Sequence, residues 1–201
     1  MNEQYITVAG KKVRLIAGGS GKPLVLLHGW SFNAETWAEC GVFDALARRC
    51  AVYAVDMPYG VRTKSDRFHA PRPEYARHLR HVLDALGLAD PPLVGPSASG
   101  EVVLWYLAQR LPAKAAVVVG PVGLVGELLK ALEEVETPVL AVWGELDEIS
   151  PPSNAQVLRG RNVKTAMLRG AGHAAYLDKP KEFVELLLEF LGSVYKPQRL
   201  A

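Results

Sequence analysis

This chain of 201 residues has no long apolar run: it lacks any stretch of about 20 apolar residues, so no segment is expected to span a membrane. Its opening segment, MNEQYITVAGKKVRL, is polar and lacks the apolar run of a secretory signal. The cytoplasm is therefore the expected compartment. Cysteine is nearly missing. Cys40 and Cys50 cannot make a disulfide framework and are expected to be reduced and structural. An excess of one charge is missing too: 23 Lys and Arg stand against 21 Asp and Glu, a net charge of +2, and neither sign forms a block of five. That balance excludes the basic footprint of a nucleic-acid binder. No His, Cys or Asp spacing suggests a metal site, and no cofactor is expected.

What is present is an ordinary globular composition, 49% hydrophobic and 22% charged. At this length roughly 70% of the unfolded surface can be buried, enough for one domain over residues 1–201 without staples. Short β-branched runs alternate with helical patterns, the signature of a mostly parallel sheet with helices on both faces. Residues 4–8 and 12–16 flank Ala9-Gly10-Lys11 and predict a hairpin. Strands are expected at 23–28, 50–55, 92–95, 114–119, 138–143 and 164–168. Helices are expected at 35–48, 75–86, 98–110, 126–134, 152–159 and 180–194. Fewer than 20 residues separate the strands near Val119 and Pro138, which leaves no room for a lid. The site is expected to be open to solvent, or covered only by the loop 57–73.

Three segments at strand ends carry chemistry. Gly95-Pro96-Ser97-Ala98-Ser99-Gly100 follows a strand and opens a helix, the context of a nucleophile elbow. That turn packs strand against helix so closely that the residues two before and two after the nucleophile must be small. For Ser97 these are Gly95 and Ser99; for Ser99 one would be Glu101, which does not fit. Read alone, the same segment also suits a small-residue turn capping a helix. His173 lies between the last strand and the last helix, and glycines 170 and 172 let its loop fold back. Histidine suits a general base. His78 and His81, on a charged helix, are expected on a solvated face, His69 in an exposed loop, and His28 in a structural role. Asp147, three residues past Gly144, is the preferred acceptor for the imidazole, with Glu145 and Glu148 facing solvent; alone, Asp147 serves equally as a turn or helix-cap residue. Ser, Asp and His in that order at successive strand ends match the chain order of α/β-hydrolases. A tetrahedral intermediate needs two preorganised donors. The backbone N–H groups of Ala98 and of Trp30, in His28-Gly29-Trp30-Ser31, are the candidates.

The segments LVLLHGWSFNAETW (24–37), VDMPYGVRTKS (55–65), LVGPSASG (93–100), VWGELDEISPP (142–152) and GAGHAAYLDKPKEFVELLLEFL (170–191) resemble the α/β-hydrolase superfamily over nearly the whole chain. The missing cap, the P-S-x-S-G elbow and GAGHxxYLDKP are most similar to the abhydrolase-domain-containing protein 14 type. The resemblance implies an α/β-hydrolase fold without a cap, Ser97 as nucleophile, Asp147 as acid and His173 as base. It implies esterase-like activity on small, short-chain acyl esters, with acyl transfer (to coenzyme A, for example) or thioester cleavage as the alternative. A non-catalytic binding module is the less favoured reading. The sequence departs from the family in two places. The elbow ends in Ser99 where the superfamily's general G-x-S-x-G motif has glycine. The loop after Asp56 reads Met57-Pro58-Tyr59-Gly60-Val61-Arg62 in place of the usual glycine-rich pattern. Tyr59 and Arg62 are expected to line the mouth of the site, with Ser31 and Tyr59 in contact with substrate.

Overall fold

In a computed structural model, which describes residues 1–158 and 162–195, eight strands form one sheet. The strands are β1 (Asn2–Val8), β2 (Lys11–Gly18), β3 (Pro23–Leu26), β4 (Ala51–Val55), β5 (Leu93–Pro96), β6 (Ala116–Val119), β7 (Val139–Gly144) and β8 (Val163–Leu168). The helices are α1 (Glu35–Glu39), α2 (Val42–Ala47), α3 (Arg72–Ala85), α4 (Ala98–Ala108), α5 (Gly126–Leu132), α6 (Ala175–Asp178) and α7 (Pro180–Tyr195), with a 3-10 turn at Pro152–Gln156. The spatial order is β1-β2-β4-β3-β5-β6-β7-β8. The β1–β2 hairpin and the β2–β4 pair are antiparallel, and every later pair is parallel.

The central strands are buried on both faces, which is why they read as unbroken apolar runs. Alternate side chains feed opposite layers: Val25, Leu93, Ala116 and Val118 join α3 and α4 in one core, while Leu24, Leu26, Val94, Val117 and Val119 join α1, α2 and α7 in the other. Trp37 and Phe183, both fully buried, anchor the second core with Tyr176. The helices after β3 thus pack on one face and the helix after β5 on the other. The chain therefore parts between the carboxyl ends of β3 and β5, and such a switch point opens a crevice where ligands bind in doubly wound sheets.

The expected helix over 35–48 is two short helices. Gly41, with φ 78°, takes the left-handed turn that ends the first, its N–H bonded to the Ala38 carbonyl. The helix expected over 152–159 is only the 3-10 turn, held at its start by Pro151 and Pro152; Arg159 lies outside the described residues. The helix α6 was not anticipated. His78 is not solvated as expected but buried, because it shares the inward face of α3 with Tyr75, Leu79, Val82 and Leu83. No helix among the described residues is long and apolar enough to cross a membrane.

Candidate active site

Ser97 stands between β5 and α4 with φ 52° and ψ −118°, a backbone conformation that L-residues seldom occupy. The sheet holds it there: its N–H donates to the Val119 carbonyl at 2.8 Å. The close packing anticipated around the elbow is real, since a Cβ on Gly95 would lie 2.5 Å from the Ser99 carbonyl oxygen.

Asp147 follows β7 in a turn closed by its N–H on the Gly144 carbonyl, and its side chain is wholly out of solvent. His173 follows β8; the loop bearing it is pinned by the Gly172 N–H, which donates to the Asp178 carboxylate of α6 at 2.7 Å. The three side chains meet in series. Ser97 Oγ lies 2.9 Å from His173 Nε2, and His173 Nδ1 lies 2.9 Å from both Asp147 oxygens. A carboxylate only accepts, so Nδ1 carries the ring proton and Nε2 is left to accept from the Ser97 hydroxyl. Asp147 Oδ1 also accepts from the Ile149 and Ser150 N–H groups, which fixes the carboxylate in place. Glu145 and Glu148 are exposed, as expected.

Serine and aspartate stand on β5 and β7, with β6 between them. The imidazole lies close against the end of β6, where the residue is Gly120 with φ 49°. A Cβ there would sit 2.7 Å from Asp147 Oδ2 and 3.2 Å from His173 Nδ1. Only glycine leaves that space open.

The His28 ring, fully buried, accepts the Met57 N–H at Nε2 and so donates from Nδ1 to the Gly29 carbonyl. Burial pushes its pKa down, which keeps this neutral form. The Gly29 carbonyl also accepts from the Phe32 N–H. Carbonyl and amide of one planar peptide point opposite ways, so these two bonds turn the Trp30 N–H away from them. Among the described residues, neither the Trp30 nor the Ala98 N–H donates to another protein group.

The comparisons bear on this geometry. A sequence model described as alpha/beta hydrolase fold matches residues 22–136. The chain belongs to the α/β-hydrolase family, ABHD14 type. It is 36% identical over 176 residues to protein ABHD14A of Danio rerio, covering 85% of this chain and 64% of that protein. The chain thus spans under two thirds of that relative's length. It is 34% identical over 198 residues, 94% of each, to the Pongo abelii protein named "Putative protein-lysine deacylase ABHD14B". A crystal structure titled as a predicted CIB-like hydrolase from Thermoplasma acidophilum superposes with TM-score 0.88 at 25% identity, over 96% of this chain and 98% of that one.

In this α/β-hydrolase the cleft over Ser97 and His173 has a volume of about 220 Å³, and Trp30, Ser31, Phe32, Ile149 and Tyr176 are among its walls. That is below the roughly 300–1,000 Å³ of typical drug-sized pockets. Ser31 lies at the cleft as expected. Tyr59 does not: it is only 5% exposed, packed edge-on to Tyr75 and parallel to the Trp30 ring, with its hydroxyl on Ser99. Part of what buries it is Tyr75 of α3, an element its own loop does not reveal. Arg62 is exposed and is not among the cleft's walls; its carbonyl accepts from the Asn33 amide. Trp30 is itself 46% exposed, an aromatic wall facing solvent. Phe32, Ile149 and Tyr176 escaped the sequence reading, although the last two lie three residues or fewer from Asp147 and His173.

Cys40 and Cys50 are unpaired thiols, as expected. Among the described residues no three His, Cys, Asp or Glu side chains cluster as metal ligands would.

Proposed function

We propose that the protein is a serine hydrolase that cleaves short-chain acyl esters through an acyl-Ser97 intermediate. The observation that carries this is the unbroken Ser97–His173–Asp147 hydrogen-bond series at 2.9 Å spacings. In that reading His173 Nε2 takes the Ser97 proton as Oγ attacks the acyl carbon. Asp147 holds the ring and stabilises the imidazolium. The Trp30 and Ala98 N–H groups receive the developing oxyanion. Collapse expels the alcohol, protonated from Nε2, and a water activated by the same nitrogen releases the acid. The small cleft and the short β6–β7 connection, with α5 as its only helix, support short acyl groups, since little apolar surface can wrap a long chain.

A second reading keeps the same residues and changes the leaving group. The deacylase name of the ABHD14B relative supports an acylated lysine amide, and the open cleft would admit a side chain borne on another protein. Transfer to an acceptor thiol, or cleavage of a thioester, uses the same acyl-enzyme.

The test is turnover of p-nitrophenyl acetate, butyrate and octanoate beside acetyl-CoA and an acetyl-lysine peptide, with wild type and Ser97→Ala side by side. Acetate and butyrate are expected to exceed octanoate, and Ser97→Ala is expected to lose at least about 10³-fold in kcat. Ester turnover that survives in Ser97→Ala refutes the assignment. Failure of a fluorophosphonate to label wild type favours the binding-module reading.

A further inference from the structure

Directly behind Ser97 lies a second polar chain that its chemistry does not use. The Ser99 hydroxyl is within hydrogen-bond reach of both the His28 carbonyl oxygen and the Tyr59 hydroxyl. A carbonyl oxygen only accepts, so the single Ser99 proton goes to His28, and the Tyr59 O–H must donate to Ser99 Oγ. All three residues are buried, Ser99 and His28 completely. Burial also pushes the Tyr59 phenol pKa well up, which keeps it the donor this order requires.

The three residues come from the ends of three adjacent strands: His28 after β3, Tyr59 after β4 and Ser99 on α4 after β5, where the spatial order is β4-β3-β5. The chain therefore crosses the switch point. Below it, β3 and β5 are joined by ladder bonds, the last running from the Leu27 N–H to the Val94 carbonyl. Beyond that bond the Ser99–His28 hydrogen bond is the next tie between the two segments. Its ends adjoin the two N–H groups assigned to the oxyanion: Ser99 follows Ala98, and the His28 carbonyl belongs to the peptide immediately before the one bearing the Trp30 N–H. The glycine that ends the usual elbow motif at this position has no side chain with which to make such a tie.

We propose that Ser99 and Tyr59 are positioning residues that set the spacing between the Trp30 and Ala98 N–H groups. The proposal rests on the acyl-enzyme reading above. Two donors must both reach one oxygen atom within hydrogen-bond distance, and they sit on separate segments. Ser99 ties those segments together, and Tyr59 orients the Ser99 hydroxyl. Without the Ser99 hydroxyl, the His28 carbonyl and the Tyr59 O–H are left buried without their partner, and the loops are free to relax apart.

The test compares wild type, Ser99→Ala, Tyr59→Phe and the double variant on p-nitrophenyl butyrate, with kcat expressed per active site titrated by fluorophosphonate. Ser99→Ala is expected to lose about 10-fold in kcat with KM within about twofold, and Tyr59→Phe about threefold. The double variant is expected to match Ser99→Ala, because Tyr59 acts through Ser99. Affinity for a trifluoromethyl ketone, which places an oxyanion in the hole, is expected to fall in parallel with kcat/KM, while affinity for the product alcohol stays constant. A purely structural role would lower the melting temperature and leave kcat per titrated site unchanged. That result, or a loss confined to KM, overturns the proposal. If Ser99→Ala does not fold, Tyr59→Phe decides alone, and wild-type kcat in that variant overturns it. A wild type that neither turns over esters nor takes the fluorophosphonate sinks the acyl-enzyme reading instead, whereas an active wild type with indifferent variants sinks only this one.

Discussion

Ser97→Gly is expected to melt above Ser97→Ala, although both lack the hydroxyl. Ser97 sits at φ 52° and ψ −118°, and a side-chain-bearing residue in so sparsely populated a region stores about 1–3 kcal/mol. Alanine keeps the Cβ and hence the strain, whereas glycine removes both. Each variant loses the same 2.9 Å contact with His173 Nε2, so their difference isolates the backbone. Against the relief stands the greater freedom of glycine in the unfolded chain, roughly 0.5–1 kcal/mol. The balance is about 1 kcal/mol in favour of glycine, or about 2–4 °C in Tm for a chain of this size. Thermal unfolding followed by circular dichroism measures it, with urea m-values checking that the unfolded states are comparable. At an unstrained position in a helix interior the order would be reversed by the glycine cost alone. Ser97→Gly melting below Ser97→Ala therefore refutes the claim that the elbow is strained.

Gly120→Ala is expected to lower kcat about 10–100-fold, since its Cβ would press on Asp147 Oδ2 from 2.7 Å and displace the imidazole partner; ester kinetics on the folded variant check this, and wild-type kcat counts against it. Arg14→Met is expected to cost about 3–5 kcal/mol and lower Tm by roughly 10 °C, because it strips the buried Asp56 and the partly buried Glu35 of a guanidinium that contacts them at 3.2 and 2.6 Å. Urea unfolding measures that loss, and a change below about 1 kcal/mol would mean the network contributes little. His78 is held down to about 4 by burial, helped by the charges of His81 and Lys11. Between that value and the free value near 6.5 the unfolded chain binds the extra proton, so stability falls as pH drops through this window. His78→Leu is expected to remove that dependence, about 3 kcal/mol across the window, and identical pH–stability curves for the two proteins would exclude the effect.

The parts of the site that were legible in the sequence are those fixed by short-range packing. Small residues around Ser97 signal an elbow because strand and helix nearly touch there, and the 2.5 Å approach at Gly95 is that constraint in space. Asp147 and His173 were legible because each follows a strand at a short, glycine-marked distance. The departure of its loop from the family's glycine-rich pattern points Tyr59 to the cleft mouth; its burial depends on Tyr75 and Ser99, 16 and 40 positions away. His78 misled for the opposite reason. Its neighbours Arg77, Arg80 and His81 suggested solvent, yet Tyr75 and Val82 stand three and four positions from it on the helix, so the inward stripe was there to be read. In the sequence Ser99 signifies only by its small size, and nothing local discloses that its hydroxyl finds a carbonyl 71 residues away.

The link from Val119 to Val139 leaves the sheet beside Ser97 and returns with a single short helix. Ser97, Asp147 and His173 draw their spacing from β5, β7 and β8, none of which lies within that link. Additional chain could enter after Pro121 and rejoin before α5 without altering a strand pairing, at the rim of the sheet that carries Ser97. The fold therefore carries a vacant berth for a lid, and substrate choice can change there by insertion while the chemistry underneath stays as it is.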